Sequence, residues 1–429
     1  MTATAHVVGA GLAGLSAALA LQEAGWRVIV WEGARQAGGR CRSYHDAKLG
    51  CGIDNGNHLV LSGNRSVAAY LARAGAGGAL VAAPAAHFPF VDLASGERWV
   101  VRINDGPVPW WPLVAARRPA GVGVGAFLRS LPLLWAGEDR TIAEAVRPEG
   151  LALSRFWEPM SLAVLNLPPA LASARLMAAT AREAWRDGRL ARPMFAPRGL
   201  GAALVAPALA ALARAGAAVR LGAQVRGLAS AGGRVTGLKA GGEAVGLGPR
   251  DAVVLAVPPA RMNALWPDAR APEEASSILN AHFRLAAPLA GPPLLGVTGA
   301  RTQWIFVKGE VVSLTISAAG FVEGADGEEA ALLADLWAET RAALRLPAGL
   351  EPLAARLVHE RRATFLQTPA NARRRARPLT GLANLVLAGD HVETGLPATI
   401  EGAVRSGETA ARLLGQPGAE ASAASGSAR

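Results

Sequence analysis

An apolar strand running into a glycine turn and helix, a second turn and helix of the same kind near residue 199, and a late strand closing on Gly389-Asp390 predict an α/β protein. The core unit is a Rossmann-like dinucleotide-binding domain. Gly9, Gly11 and Gly14 form a G-x-G-x-x-G directly after Val7-Val8. The first glycine allows the tight turn, the second lets a pyrophosphate approach the backbone at the helix N-terminus, and the third lets helix pack on strand. The helix runs from Leu12 to Ala24 and stops at Gly25. A second strand, Trp26 to Trp31, ends at Glu32, twenty-one residues after Gly11, where an acid can take ribose hydroxyls. Ala10, Ala13 and Gly33 flank these positions and belong to the same contact set. The motif alone is weak in a chain rich in Gly and Ala. Strand, helix, second strand and acid together are specific.

Gly38-Gly39-Arg40 brings a second glycine loop onto the ligand and points to FAD rather than NAD. At the far end, Leu385 to Leu387 is a strand leading to Gly389-Asp390, and Gly395 to Gly402 opens a helix through Leu414. With these three motifs in this order the chain resembles the FAD-dependent amine oxidoreductase and carotenoid desaturase superfamily. That resemblance implies a three-layer FAD-binding domain of the glutathione-reductase type, with a second mixed α+β substrate domain inserted in it. It places the Asp390 carboxylate near the ribityl-pyrophosphate. It also aims the helix after Leu396, Thr399 and Ile400 at the flavin ring.

Charged residues are 18% and hydrophobic ones 51% of 429 residues, which excludes a disordered chain and allows a large core in two domains. The net charge of +11 is carried by arginine, with lysine only at positions 48, 239 and 308. No basic tract interleaved with aromatics appears, so nucleic acid is not an expected partner, whereas an anionic membrane surface is. Cys41 and Cys51 are the only cysteines, which suits a reducing compartment and bystander thiols better than a catalytic pair. The first strand begins by residue 6 and leaves no room for a signal peptide. The uncharged run Leu285 to Ala300 carries three prolines and is no membrane span. A cytoplasmic, peripherally membrane-associated protein is the expectation, with no metal.

The glycine pair is followed by Asp54-Asn55-Gly56-Asn57-His58, a tight, backbone-rich turn. The resemblance runs this stretch past the flavin, making Asn55, Gly56, Asn57 and His58 cofactor contacts. His58 is also a candidate acid or base, against the commoner reading of a hydrogen-bonded structural histidine. Helical segments at Val67 to Ala74, Ile142 to Val146 and Leu171 to Arg186 then alternate with Pro- and Trp-rich stretches. Pro107 to Leu113 and Phe127 to Trp135, beside Arg117-Arg118, suit a membrane interface, a buried cap over a pocket, or both. Asn166 is the single amide in the greasy run Phe156 to Pro169 and reads either as a substrate-orienting group or as a helix C-cap.

Gly199-Leu200-Gly201 opens a helix to Ala215, followed by strands at 217–221, 224–226, 234–238 and 251–257. The resemblance gives the backbone at Val225 to the adenine. The cofactor domain is therefore expected in three pieces, 1–65, 191–259 and 379–415, and the substrate- and membrane-facing domain in two, 66–190 and 260–378. Gln303 to Val307 and Val311 to Ser317 read as a hairpin that leaves Lys308 at an exposed turn. Arg373-Arg374-Arg375 with Arg377 reads as a solvated loop, and residues 416–429 as a disordered tail.

The only tyrosines, Tyr44 and Tyr70, both lie early in the chain and no lysine is well placed to steer a water, which weighs against an amine oxidase. Trp157-Glu158-Pro159, Asn166-x-Pro168-Pro169, Gln303-Trp304-Ile305-Phe306 and Gly395-Leu396-Pro397-Ala398-Thr399-Ile400-Glu401-Gly402 resemble the squalene-associated branch of the superfamily, the hydroxysqualene dehydroxylases. Residue 57 departs from that pattern, being Asn where Gln is expected. The resemblance implies a reductive reaction in hopanoid and squalene biosynthesis, downstream of squalene-synthase-like enzymes. In it, reduced FAD donates hydride from N5 to an allylic carbon while the hydroxyl leaves as water. Such a step needs a donor for the leaving oxygen, for which His58 and Asn166 are candidates, and support for positive charge, for which Glu401 is a weaker one than it is for a structural ion pair. An isoprenoid desaturase is the alternative, with a flavin-free prenyl carrier as the non-enzymatic one.

Overall fold

The computed structural model describes residues 3–185, 187–325 and 327–415; the tail from 416 lies outside the described residues. Its first sheet is parallel and five-stranded, in the order Ala218–Arg220, Arg27–Trp31, Thr4–Val8, Ala252–Leu255, Leu385–Leu387. These strands come from three separated stretches of the chain. They read as continuous apolar runs because both faces of the sheet are covered. Ala5, Val7, Val28, Val30, Val254 and Val386 pack under the helices Leu12–Glu23, Ala206–Arg214 and Ile400–Leu414. Val8, Trp31, Val253, Leu255 and Leu387 pack under an antiparallel meander of Val225–Ala231, Arg234–Ala240 and Glu243–Gly246. Helices, parallel sheet and meander make the expected three layers.

The second sheet has seven strands, ordered Ala354–Phe365, Ala275–Arg284, Val311–Ser317, Trp304–Lys308, Leu294–Thr298, His87–Asp92, Arg98–Arg102. The helix Glu329–Leu344 covers one face through Leu332, Leu333, Leu336 and Trp337. On the other side an apolar cluster joins Phe306 and Trp304 to a helical cap containing Trp111, Leu133, Phe156, Trp157 and Leu165.

Several elements depart from expectation. The helix expected from Leu171 starts at Ala174, because Ser173 takes the cap position and accepts from the Leu176 amide. Lys308 ends the strand Trp304–Lys308 and is not at an exposed tip: its Nζ donates to Asp54 Oδ2 at 2.6 Å. Within the arginine run, Arg375 is buried with a side-chain exposure of 0%, not solvated. No described helix is long and apolar enough to cross a membrane.

Candidate active site

The glycine turn is set by close contacts. A Cβ on Gly14 would lie 1.9 Å from the Gly9 carbonyl oxygen, and Gly9 itself has φ of +106°. Gly11 is different: no atom lies within 4 Å of its missing side chain, so its surface opens onto the groove. The Gly38 amide donates to the Ala10 carbonyl at 2.8 Å, which ties the second glycine loop to the first. Glu32 turns back on the same turn, Oε2 accepting from the Ala10 amide and Oε1 from the Ala34 amide, each at 2.8 Å. Gly33 lies against Gln224, the residue before Val225. The Val225 carbonyl accepts from Arg261.

Asp390 closes this groove from the other end of the chain. Its Oδ1 accepts from Arg40 Nη2 at 2.7 Å. Burial pushes its carboxyl up, but the Arg40 guanidinium and His391 outweigh that and hold it well below the usual carboxylate range. Arg375 then fastens the loop beyond, donating to the carbonyls of Leu396 at 2.7 Å and Asp390 at 3.0 Å and to Thr394 Oγ1 at 3.0 Å. Thr399 caps the last helix, its Oγ1 accepting from the Gly402 amide at 3.1 Å, so Ile400 begins that helix beside the groove. An open glycine surface, backbone amides at helix starts and an Arg–carboxylate pair suit an elongated dianionic dinucleotide. The residues present fit FAD.

The turn from Asp54 to His58 is held from several elements. Asp54 accepts from Lys308, from Ser43 Oγ at 2.5 Å and from the Leu200 amide at 2.8 Å. Asn55 donates to Glu360 at 3.2 Å, and Asn57 to Thr315 Oγ1 at 3.2 Å. Asn280 supports the turn from below, its Oδ1 accepting from Thr315 Oγ1 at 2.9 Å, and a Cβ on Gly56 would come 3.3 Å from its Nδ2. His58 is lowered to about 4 by burial and by the Arg40 charge, so its ring is neutral near pH 7. Cys41 is buried and pushed up to about 12 by desolvation, an inert thiol, and Cys51 is free as well.

The structure does not bring Asn166 to this turn. It is 4% exposed, in the left-handed region at φ of 53°, and caps the helix Glu158–Leu165. Its Oδ1 accepts from the Ala318 amide at 2.5 Å, its Nδ2 donates to Thr364 Oγ1 at 3.2 Å, and its carbonyl accepts from Ser276 Oγ at 2.7 Å. Both ends of its amide are used inside the fold, which favours the cap reading over that of a substrate donor. Glu401 is likewise structural, accepting from the amides of Ser66 and Val67 at 3.0 Å and from Arg405 at 2.9 Å. Sequence reading missed Arg375, Lys308 and Gln367, whose amide bridges the Leu165 carbonyl and the Ala398 amide at 2.8 Å each. A lone Gln before Thr368-Pro369 carries no signal that would have marked it.

The side chains packed between these segments are hydrocarbon. Leu59, next to His58, and Ala398, next to Thr399, both pack against the cluster of Phe306, Phe156, Trp157 and Leu165.

Residues 12–414 match the model of the family described as flavin containing amine oxidoreductase. The chain is 44% identical to a hydroxysqualene dehydroxylase of Rhodopseudomonas palustris, over 96% of this chain and 99% of that one. It is 42% identical to one of Sinorhizobium fredii, over 96% and 98%. Among solved structures, cyclohexylamine oxidase of Brevibacterium oxydans shares the fold with a TM-score of 0.68 over 97% and 99% of the two chains, at 16% identity. The glycine turns, the Arg40–Asp390 pair and this near full-length likeness agree: the chain belongs to the flavin containing amine oxidoreductases and, within them, to the hydroxysqualene dehydroxylase family.

Proposed function

We propose that this chain reductively dehydroxylates hydroxysqualene, replacing the allylic hydroxyl by hydride and releasing squalene and water. Bound two-electron-reduced FAD would supply the hydride and, through solvent, the proton that turns the departing hydroxide into water, so that hydroxysqualene and reduced flavin balance squalene, water and oxidised flavin. The observation that carries this reading is the apolar cluster packed against both Leu59, beside His58, and Ala398, beside Thr399, which gives this region the hydrocarbon surroundings a long isoprenoid needs. A neutral His58 fits such a wall, because an N–H donor can hold the leaving oxygen without burying a cation. As the C–O bond weakens, positive charge grows on the allylic carbon and negative charge on oxygen. A His58 N–H donor would favour the second.

We assign the FAD to the turns at Gly9–Gly14 and Gly38–Arg40, to Glu32, Val225 and Asp390, and to the helix start at Leu396–Ile400. Residues 1–65, 191–259 and 379–415 would form this cofactor domain, and residues 66–190 and 260–378 the substrate domain. The substrate is a bilayer-dissolved hydrocarbon, so the protein would work peripherally at a cytoplasmic membrane face, next to squalene-synthase-like enzymes. The test is anaerobic incubation of dithionite-reduced holoprotein with hydroxysqualene and mass spectrometry of the extracted lipid. Squalene formed as the flavin reoxidises is the expected result. Bound flavin without squalene overturns the assignment.

A further inference from the structure

Of the fourteen large apolar side chains left exposed among the described residues, seven lie in one stretch: Val108, Trp110, Leu113, Val114, Leu128, Leu131 and Trp135. Trp135 is 78% exposed and Leu113 66%. Clustering of this kind marks an interaction surface, whereas single exposed apolar residues do not.

The stretch is built to hold these groups outward. It consists of short turns at Trp111–Leu113, Ala115–Arg117 and Leu131–Trp135 around the helix Val124–Arg129. Two of these turns are pinned from within: Trp111 is 4% and Leu133 2% exposed. The Phe127 ring lies 5.1 Å from Trp111 and 5.0 Å from Phe156. The inner side of the surface is therefore continuous with the apolar cluster that reaches Leu59 and Ala398.

Its charge is of one sign. Between Pro107 and Trp135 the charged residues are Arg117, Arg118 and Arg129, with no acid among them. Arg117 lies 4.6 Å over the Trp110 ring, and Arg118 donates to the Pro112 carbonyl. Arg140 edges a groove of about 630 Å³ with Leu131, Trp135 and Ala136. The neighbouring acids Glu138 and Asp139 are paired with Arg175 and Arg373, which leaves Arg140 unneutralised by them.

We propose that residues 107–140 are a membrane-docking element for anionic bilayers. Trp110, Leu113, Leu128, Leu131 and Trp135 enter to the depth of the headgroup boundary, and Arg117, Arg118, Arg129 and Arg140 take lipid phosphates. Tryptophan favours that depth because its ring is apolar at one end and a hydrogen-bond donor at the other. Arginine beside it gains from the negative surface potential of anionic lipid. An apolar face with a basic rim is the pattern of an interfacial anchor, which binds through both terms together. The purpose given to the element, loading a hydrocarbon from the bilayer, rests on the hydroxysqualene reading. The binding itself does not.

Flotation of holoprotein with phosphatidylglycerol/phosphatidylcholine vesicles, against phosphatidylcholine alone, tests it without turnover. The wild type is expected to float with anionic vesicles and to bind them at least tenfold more tightly than neutral ones. Leu131→Asp/Trp135→Asp is expected to abolish flotation, and Arg117→Glu/Arg118→Glu/Arg129→Glu to weaken it by roughly fivefold or more per arginine. All variants should keep their flavin absorbance and their activity on detergent-dispersed substrate, while losing activity on vesicle-embedded substrate. Wild type that stays unbound to anionic vesicles overturns the proposal, as do variants that float equally well. A wild-type dimer that Trp135→Asp dissociates, with no vesicle binding, assigns the face to a second copy and also overturns it. Vesicle binding without squalene formation leaves the docking element standing and removes only the reaction assigned above.

Discussion

Arg40 and Asp390, 350 positions apart in the chain, meet at 2.7 Å where the second glycine loop faces the strand that closes the parallel sheet. The pair joins the N-terminal glycine loop to the stretch that follows the last strand of the parallel sheet, and Asp390 is the buried member. Asp390→Ala would leave Arg40 without its carboxylate and Arg40→Ala would leave a carboxylate buried without its cation. Removing one partner of such a pair costs a few kcal/mol, here discounted to about 2 kcal/mol because Arg40 is partly exposed. Either variant is expected to purify with little flavin and to bind added FAD at least tenfold more weakly, measured by quenching of flavin fluorescence.

His58 carries the donor role in the account. Because its ring is neutral down to about pH 4, the step it serves should show no rate loss from its titration between pH 5.5 and 8. His58→Ala is expected to lower single-turnover flavin oxidation by 10- to 1000-fold, the range for losing one oriented donor, with bound flavin unchanged. A rate that falls with rising pH through about 6.5 in the wild type would instead require the imidazolium.

Asn166 separates structure from chemistry. Asn166→Ala removes both amide bonds inside the fold and puts a Cβ residue without the Asn preference into the left-handed region. A loss of about 2–4 kcal/mol in urea unfolding is expected, with turnover per folded molecule changed less than threefold. A large drop in turnover at unchanged stability would restore it as a substrate contact.

His282 sets a pH window for stability. It is buried, its Nδ1 lies 2.7 Å from Ser313 Oγ, and burial lowers its pKa to about 4. The folded pKa lies below the ordinary value near 6.5, so the unfolded chain binds more protons between these limits. Stability is then fully present above about pH 6.5 and falls as pH drops toward 4, by about 3 kcal/mol from this residue. His282→Gln is expected to flatten that part of the stability–pH curve, as read from urea midpoints at pH 6.5 and 4.5.

The glycine turns and the late Gly389-Asp390 were legible because dinucleotide binding needs rare local features at fixed spacing, here Gly9, Gly11, Gly14, Glu32 and Gly38. The three layers came from the family resemblance, and the strands apolar on both faces agree with them. The substrate side was less legible because its groups work through partners far along the chain. Lys308 reads as a turn residue until the fold brings Asp54 against it across a separation of 254 positions. Arg375 sits in a run of arginines that local pattern cannot rank, and only the loop folded over it turns one of them inward. Asn166 offered two readings of one residue type, and the positive φ together with the amides and hydroxyls around it select the cap.

The central claim is that electrons leave the flavin for the allylic carbon, and stoichiometry tests it most directly. Holoprotein reduced with one equivalent of dithionite, free of any other reductant and of oxygen, is titrated with hydroxysqualene while flavin absorbance and extracted lipid are followed together. The account predicts one squalene formed for each flavin oxidised, with no turnover by the oxidised enzyme. Flavin oxidised without squalene, or a more unsaturated lipid formed as oxidised flavin becomes reduced, would contradict it.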